Sequence, residues 1–234
     1  MSALSDAAAD LGIVLNETQV AQFATYATLL REWNTRVNLT AITDDDGIMV
    51  RHFLDSLRLA ASWGRTPRNL ADIGSGAGFP GIPLKILRPE LQLTLIESVA
   101  KKTRFLWELR DALQLDDVAI LTARAEEVGH DPAHRERYDL VVARAVADLR
   151  VLGEYCLPLC QLGGRVLAPK GASGADEARA AEVAIDILGG RIIDVEIVTL
   201  PGLDPRTLVV IRKEHRTPPE FPRAPGTPAK LPLG

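Results

Sequence analysis

The sequence has only two cysteines and no long apolar run, and these absences narrow the class of protein. No stretch approaches the roughly 18 apolar residues that a membrane-spanning helix needs. Cys156 and Cys160 are too few for a disulfide framework, and Pro158 between them marks a helix end rather than a metal-binding knuckle. The first residues, 1–6, lack the basic start and apolar core of a secretion signal. We therefore expect a cytoplasmic protein with buried free thiols, no metal and no membrane association.

An excess of basic residues is also lacking. Lys and Arg number 27 against 31 Asp and Glu, which gives a net charge of −4. This balance excludes a protein that coats nucleic acid by bulk charge. It does not exclude a site-specific RNA enzyme, because phosphate contacts need only a local basic patch. The 234 residues suit one medium α/β domain with an appendage.

Two kinds of hydrophobic pattern divide the chain. Between about residues 16 and 63, apolar residues recur every three or four positions, which predicts amphipathic helices in an N-terminal segment, 1–66. From Arg68, short apolar runs alternate with helical patterns, which predicts a parallel sheet with helices on both faces over residues 67–213. The predicted strands are Leu70–Ile73, Leu91–Ile96, Val118–Leu121, Leu140–Ala143 and Arg165–Ala168, and the helices are Val99–Gln114, Leu149–Leu157 and Ala175–Leu188.

The end of the chain has two further features. Strand-like runs at Ile192–Leu200 and Thr207–Lys213, joined through Pro201–Arg206, predict a hairpin that inserts an antiparallel strand. Residues 214–234 form a Pro-rich basic tail, in which neither a helix nor a central strand is expected. This tail is either a solvated, disordered segment or an extended arm docked on the core or on RNA.

The most informative motif is a glycine-rich turn after the first predicted strand. Gly76, Gly78 and Gly81 form a GxGxxG pattern, and an acidic residue, Glu97, ends the next strand, where it can accept hydrogen bonds from two ribose hydroxyls. A dinucleotide enzyme or a purely structural turn would also fit. Asp72, however, lies two residues before Gly74, where it would repel a pyrophosphate but could engage a cationic amino acid moiety. This D-x-G-x-G-x-G sequence resembles motif I of the class I methyltransferases, and therefore favours S-adenosylmethionine.

The residues after the later strands restrict the methyl acceptor. Residues 142–146 lack the Asp/Asn-Pro-Pro-aromatic tetrad associated with methylation of adenine amines, and the two cysteines precede the fifth strand, away from the ligand-binding edge. Guanine N7 fits, because its free lone pair needs no general base. Arg144 ends the fourth strand and could bind guanine O6, a phosphate or the cofactor carboxylate, unless it is structurally paired. Ala125 and Glu126 follow the third strand, where an N–H group and an acid commonly bracket adenine.

Several basic residues are candidates for an RNA-binding rim near the same edge. Lys101, Lys102 and Arg104 open a helix, where they oppose the helix dipole, and Lys170 ends the fifth strand. We expect loss of Lys170 to impair RNA methylation with little effect on cofactor affinity. The alternatives are a solvent-facing lysine and an ordinary charged helix face. Arg51 and His52 are also candidates, although the two could form a satisfied core pair with Asp55.

Several motifs in order identify a family resemblance. They are Asn38-Leu39-Thr40, the segment from Arg51 to Leu57, the segment from Asp72 to Pro83, and Arg104-Phe105-Leu106. Together they resemble the bacterial RsmG (GidB) family, which methylates guanine N7 in 16S ribosomal RNA. The resemblance implies a class I, Rossmann-like fold with a mostly parallel seven-stranded sheet and an N-terminal helical extension. It also implies 16S rRNA or the 30S subunit as partner and S-adenosylmethionine as cofactor, and we expect a monomer.

The resemblance also assigns individual cofactor contacts. It implies contacts at Gly74, Phe79, Ala125, Glu126 and Arg144, with the acidic ribose position at Glu97. Lys170-Gly171 matches the family's Lys-Gly after the fifth strand. Asp72, Gly76 and Gly78 are added from the glycine motif itself.

Overall fold

The computed structural model describes residues 2–144, 147–199 and 204–234. Its centre is a seven-stranded sheet with the strand order β3-β2-β1-β4-β5-β7-β6. The strands are β1 (Asn69–Ile73), β2 (Gln92–Glu97), β3 (Val118–Thr122), β4 (Tyr138–Val142), β5 (Cys160–Lys170), β6 (Gly190–Val198) and β7 (Arg206–Lys213). The first five are parallel, and β7 pairs antiparallel with both β5 and β6. This confirms the predicted class I fold. Ala145, Val146 and residues 200–203, which hold the end of the predicted strand Ile192–Leu200 and the start of the predicted turn Pro201–Arg206, lie outside the described residues.

Helices cover both faces of the sheet. They are α1 (Ser2–Asp10), α2 (Glu17–Asn34), α3 (Asp45–Gly47), α4 (Asp55–Leu57), α5 (Gly81–Leu87), α6 (Ala100–Ala112), α7 (Ala125–Val128), α8 (Leu149–Cys156), α9 (Gly174–Ile187) and α10 (Thr227–Lys230). A π-helical turn, Ile48–Leu54, joins α3 to α4, and a 3₁₀ turn, Arg58–Ser62, follows α4. In the part of the chain that the structure describes, no helix is long and apolar enough to span a membrane.

The N-terminal helices pack on one face of the sheet through an apolar and aromatic cluster. Phe23, Tyr26 and Phe53 are fully buried in the same core cluster as Ile82 and Leu106 of the methyltransferase fold. The predicted helical segment 16–63 is not continuous, because α2 ends at Asn34 and the next helix begins at Asp45. The Asn34 side chain accepts hydrogen bonds from the backbone N–H groups of Leu39 and Thr40, which stabilises this loop in place of helix.

The two thiols lie at the other end of the sheet from the expected site. Cys156 ends α8, and Cys160 is the first residue of β5 rather than a residue ahead of it. Both are free and fully buried, as predicted. Burial raises the pKa of Cys160 to about 12, so this thiol is a packed core group rather than a nucleophile.

The C-terminal segment 214–234, hereafter the C-terminal arm, is docked on the core. The Arg135 guanidinium donates to the carbonyls of Thr217, Pro218 and Phe221, which holds the arm in an extended path. The expectation that the tail contains no helix is wrong, since Thr227–Lys230 form one helical turn. Pro228 lies in the first turn of α10, where proline is tolerated because its missing N–H would have no partner within the helix.

Candidate cofactor and RNA site

The carboxyl ends of the central strands enclose a cavity of about 220 Å³. It is lined by residues that follow β1, β2, β3 and β4, by α8 and by the C-terminal arm, namely Ile73, Gly74, Ile96, Ser98, Ala123, Arg124, Ala125, Glu126, Ala147, Tyr155 and Ala229. Ligands bind at this edge of open α/β sheets. A larger cleft of about 720 Å³ lies near Leu11–Asn16 and contains none of these strand ends. The 220 Å³ cavity, which brings together the predicted residues Gly74, Ala125 and Glu126, is therefore the better candidate site.

The glycines of the turn differ in how much space surrounds the position that a Cβ atom would occupy. Gly74, Gly76 and Gly78 all have positive φ, at +66°, +57° and +92°. A Cβ on Gly76 would meet only the Gly74 carbonyl, at 3.7 Å, so this position faces open space. A Cβ on Gly78 would lie 2.8 Å from the Tyr26 hydroxyl oxygen. Gly76 thus leaves room for a ligand, whereas Gly78 is required by packing against α2.

Glu97, at the end of β2, stabilises the turn through hydrogen bonds. Its Oε2 accepts from the Gly76 N–H at 3.0 Å, and its Oε1 accepts from the Val99 N–H at 2.8 Å. The carboxylate is buried and lies beside the cavity rather than among its lining residues. Each oxygen retains a second lone pair, so the role of Glu97 toward a ribose stays a prediction.

Asp72 lies buried beneath the turn. Its Oδ2 accepts from the Gly81 N–H at 2.8 Å, while its Oδ1 has no hydrogen-bond partner among the described residues. Burial raises the pKa of Asp72 to about 7, although the Gly81 N–H and the nearby Arg144 favour its ionised form. A buried acid with a free oxygen suits a cationic ligand, which would compensate the cost of ionisation.

The pKa of Asp72 predicts a pH dependence of stability. Between its ordinary pKa of 3.8 and about 7, the native state keeps a proton that the unfolded state has released. Stability should therefore fall as the pH rises through this range, and the loss should then level off. Asp72→Asn, which keeps an oxygen for the Gly81 N–H, should lack this loss. Urea denaturation of both proteins at pH 5 and pH 8 measures the difference, and parallel pH profiles would contradict the raised pKa.

Arg144 is bound to the N-terminal segment. Its guanidinium donates to Asp55 Oδ2 at 3.1 Å, to the Arg51 carbonyl at 3.0 Å and to His52 Nδ1 at 3.1 Å. It also lies over the Phe79 ring, 5.0 Å from the ring centre. Arg144 is therefore structurally paired, and Asp55 accepts from Arg144 and not from the side chain of Arg51 in the described residues.

His52 is neutral and buried. Because arginine only donates, Nδ1 accepts, and Nε2 therefore donates to Thr40 Oγ1 across 2.8 Å. Burial and the Arg144 charge lower the pKa of His52 to about 3. The structure thus does not place His52 as a cationic RNA ligand, whereas the neighbouring Arg51 is exposed.

The Phe79 ring faces the N-terminal helices. It stacks on His52 with ring centres 4.4 Å apart and on Tyr26 with centres 5.1 Å apart. Phe79 is only 5% exposed. Its side chain therefore joins the glycine turn to α2 and the π-helical turn, and a cofactor contact at this residue would have to come from its backbone.

Lys170 is not a free cation. Its Nζ donates to the Ala147 carbonyl and pairs with Glu177 Oε2 at 2.8 Å, and its side chain is 8% exposed. The prediction of a phosphate ligand here overlooked Glu177, which is brought close by α9. Through the Ala147 carbonyl, Lys170 instead contacts a residue that lines the cavity. Lys101 and Arg104 are exposed on α6, as expected, and Lys102 is partly buried with its Nζ 4.0 Å from Glu97 Oε2.

The sequence analysis missed Arg206 and Tyr26. Arg206, at the start of β7, donates to the same Asp55 Oδ2 as Arg144, at 3.1 Å. Tyr26 donates from its hydroxyl to the Ala77 carbonyl in the glycine turn. The residues before Arg206 form no recognisable sequence motif, and Tyr26 belongs to an ordinary amphipathic stripe. No local pattern distinguishes either residue.

Several solved structures have a similar fold. The chain is similar to a 16S rRNA (adenine(1408)-N(1))-methyltransferase from Catenulisporales acidiphilia, with a TM-score of 0.54 and 15% identity over 70% of this chain and 93% of the other. It is also similar to M. jannaschii TYW2 in complex with AdoMet, with a TM-score of 0.55 and 16% identity over 73% and 77% of the two chains. At these identities the likeness establishes the fold alone.

Relatives found by sequence similarity identify the family as well as the fold. A family model described as "GidB: rRNA small subunit methyltransferase G" matches residues 19–202. "Ribosomal RNA small subunit methyltransferase G" of Roseiflexus sp. (strain RS-1) is 61% identical over the full length of both chains. The protein of the same name from Alkaliphilus metalliredigens is 45% identical over 98% of this chain and 97% of its own. The resemblance inferred from the motifs is confirmed, and the chain belongs to the rRNA small subunit methyltransferase G family.

Proposed function

We propose that this protein transfers the methyl group of S-adenosylmethionine to N7 of a guanine in 16S ribosomal RNA of the small subunit. The observation that supports this most is the cavity at the carboxyl edge of the sheet, lined by Gly74, Ala125 and Glu126. Family membership points to ribosomal RNA as the substrate. Because that substrate is ribosomal RNA, the proposed place of action is the cytoplasm.

The residues around the cavity fit the cofactor. Beyond the lining residues, Gly76 leaves open space at the turn, and the buried Oδ1 of Asp72, which has no hydrogen-bond partner among the described residues, would receive the positive charge of the amino acid end. Glu97 would hold the ribose, and Ala125 and Glu126 would flank the adenine. When bound, the cofactor supplies an electrophilic methyl group on a sulfonium. The protein then has to hold the acceptor in line with that group.

Guanine N7 suits the side chains at the mouth of the site. The nearby His52 is fully engaged with Arg144 and Thr40, and burial keeps it neutral. It therefore has no nitrogen available to remove a proton from an acceptor. An atom with a free lone pair needs no such base, whereas an exocyclic amine would have to lose a proton.

Cations around the mouth would hold the RNA. Arg206 has 34% of its side chain exposed and carries a guanidinium that can donate to guanine O6 or to a phosphate. Arg51, Lys101 and Arg104 are exposed and can contact phosphates. Screening confines charge effects to about 8–10 Å, so a local cationic rim can work on a protein whose net charge is −4.

The first experiment measures cofactor binding and then identifies the methylated base. We expect adenosylhomocysteine to bind in calorimetry and NAD to show no binding. With methyl-labelled cofactor and 30S subunits, we expect one N7-methylguanosine in 16S rRNA, read by primer extension after reduction and aniline cleavage. Naked 16S rRNA is the comparison substrate. Tight NAD binding would favour a dinucleotide enzyme, and a modified base other than N7-methylguanosine would overturn the assigned acceptor.

A further inference from the structure

One wall of the cofactor cavity comes from the C-terminal arm rather than from the methyltransferase fold. Ala229, in the helical turn α10, lines the cavity together with Ala125, Glu126 and Tyr155. The Gly226 N–H donates to Glu126 Oε1 at 2.9 Å, across 100 positions of the sequence. The arm therefore touches the residue that is the candidate partner of the adenine ring.

The arm is fixed to the elements that carry the other lining residues. The Arg223 guanidinium donates to both oxygens of Glu154, which is fully buried on α8, next to Tyr155. The Pro222 carbonyl lies 2.6 Å from His130 Nε2, just after α7. These contacts hold the arm against both sides of the cavity. Charge-assisted pairs of this kind fix geometry as well as contribute energy.

The Gly226 contact also determines what Glu126 can do. Glu126 is 4% exposed, so its carboxylate depends on hydrogen bonds from protein or ligand. One oxygen is fixed by the Gly226 N–H, which orients the group and leaves the other oxygen for a further donor. The exocyclic amine of an adenine is such a donor.

We propose that the C-terminal arm is part of the nucleoside site: Gly226 orients Glu126, and Ala229 covers the bound base. This inference rests on the proposed function in that it takes the nucleoside to be that of S-adenosylmethionine. Gly226 and Ala229 are positioning residues, which act on ligand affinity rather than on the transferred methyl group.

The test compares the same substitution at two exposed alanines of the arm, of which only Ala229 lines the cavity. Ala229→Leu adds bulk at the cavity, and Ala224→Leu adds the same bulk before Gly226, away from the lining residues. We expect Ala229→Leu to weaken adenosylhomocysteine binding by about tenfold or more, because overfilled sites pack poorly. Adenosine should weaken by the same factor, since both ligands share the nucleoside. Ala224→Leu should bind both ligands like the wild type, and unchanged binding by Ala229→Leu would overturn the proposal.

A second measurement, on the wild-type protein, tests the proposal even if Ala229→Leu does not fold. Hydrogen exchange of the wild-type protein should show that adenosylhomocysteine protects the backbone N–H groups of Gly226, Thr227, Ala229 and Lys230. Equal exchange with and without the ligand would contradict the proposal. Neither measurement uses RNA. Normal ligand effects on the arm without any methylation of 30S subunits would therefore count against the proposed function alone.

Discussion

Arg144→Ala should lower the rate of 16S rRNA methylation by about a hundredfold, since misplacing a site by an ångström has effects of that order. The substitution removes the donor to Asp55, to His52 Nδ1 and to the Arg51 carbonyl at once. It should also lower the free energy of unfolding by about 2–3 kcal/mol. This loss is somewhat smaller than the loss expected when a buried charge is left with no partner, because Arg206 still neutralises Asp55.

Two matched variants separate the roles of Arg144. Arg144→Lys keeps the charge but not the planar fork that reaches three acceptors, so it should restore only part of the stability. Arg206→Ala leaves the Arg144–Asp55 pair intact and should change stability less. Urea denaturation, methylation kinetics and calorimetry with adenosylhomocysteine are the measurements. Wild-type stability of Arg144→Ala would show that its contacts with residues 51–55 do not hold the N-terminal segment.

Calorimetry also decides whether Arg144 acts on the RNA, through guanine O6 or a phosphate, or on the cofactor carboxylate. Loss of methylation with unchanged adenosylhomocysteine affinity would place its effect on the acceptor side of the site. Equal loss of ligand affinity would instead assign it to the cofactor. The three hydrogen bonds to residues 51–55 favour the first result.

Gly78→Ala should destabilise the protein by about 2–4 kcal/mol, whereas Gly76→Ala should cost only about 1 kcal/mol and mainly weaken cofactor binding. At Gly78 the new Cβ would lie 2.8 Å from the Tyr26 hydroxyl and 2.9 Å from Ile82 Cγ1. At Gly76 the new Cβ meets no protein atom closer than 3.7 Å, so the cost is the positive φ alone. Denaturation midpoints and adenosylhomocysteine affinities of both variants test the contrast.

A double-mutant cycle identifies the clash at Gly78. In a Tyr26→Phe background, which removes the hydroxyl oxygen, Gly78→Ala should cost less than in the wild type. Tyr26→Phe alone measures the loss of the hydrogen bond to the Ala77 carbonyl. If Gly78→Ala cost the same in both backgrounds, the Tyr26 contact would not be the reason for glycine at this position.

The sequence by itself determined the sheet and the position of the candidate cofactor site along the chain. Alternating strand and helix patterns, the glycine turn and the hairpin before Lys213 are local features, with periods and turn residues that can be read within a few positions. Each predicted strand is present with its ends shifted by a few residues, the largest shift being the longer β5. The motif residues Gly74, Ala125 and Glu126 meet at one cavity because parallel strands place their carboxyl ends at one edge.

Only the tertiary structure decided which charged groups are free to bind a ligand. Arg144 and Asp55 are 89 positions apart, and Gly226 and Glu126 are 100 positions apart. No local pattern encodes such pairs, and burial, which makes His52 neutral and raises the pKa of Asp72, depends on what packs around the group. Composition alone also left the Pro-rich tail undecided. Its place on the core depends on Arg135, Glu154 and Glu126, which are distant in sequence and become its partners only in the fold.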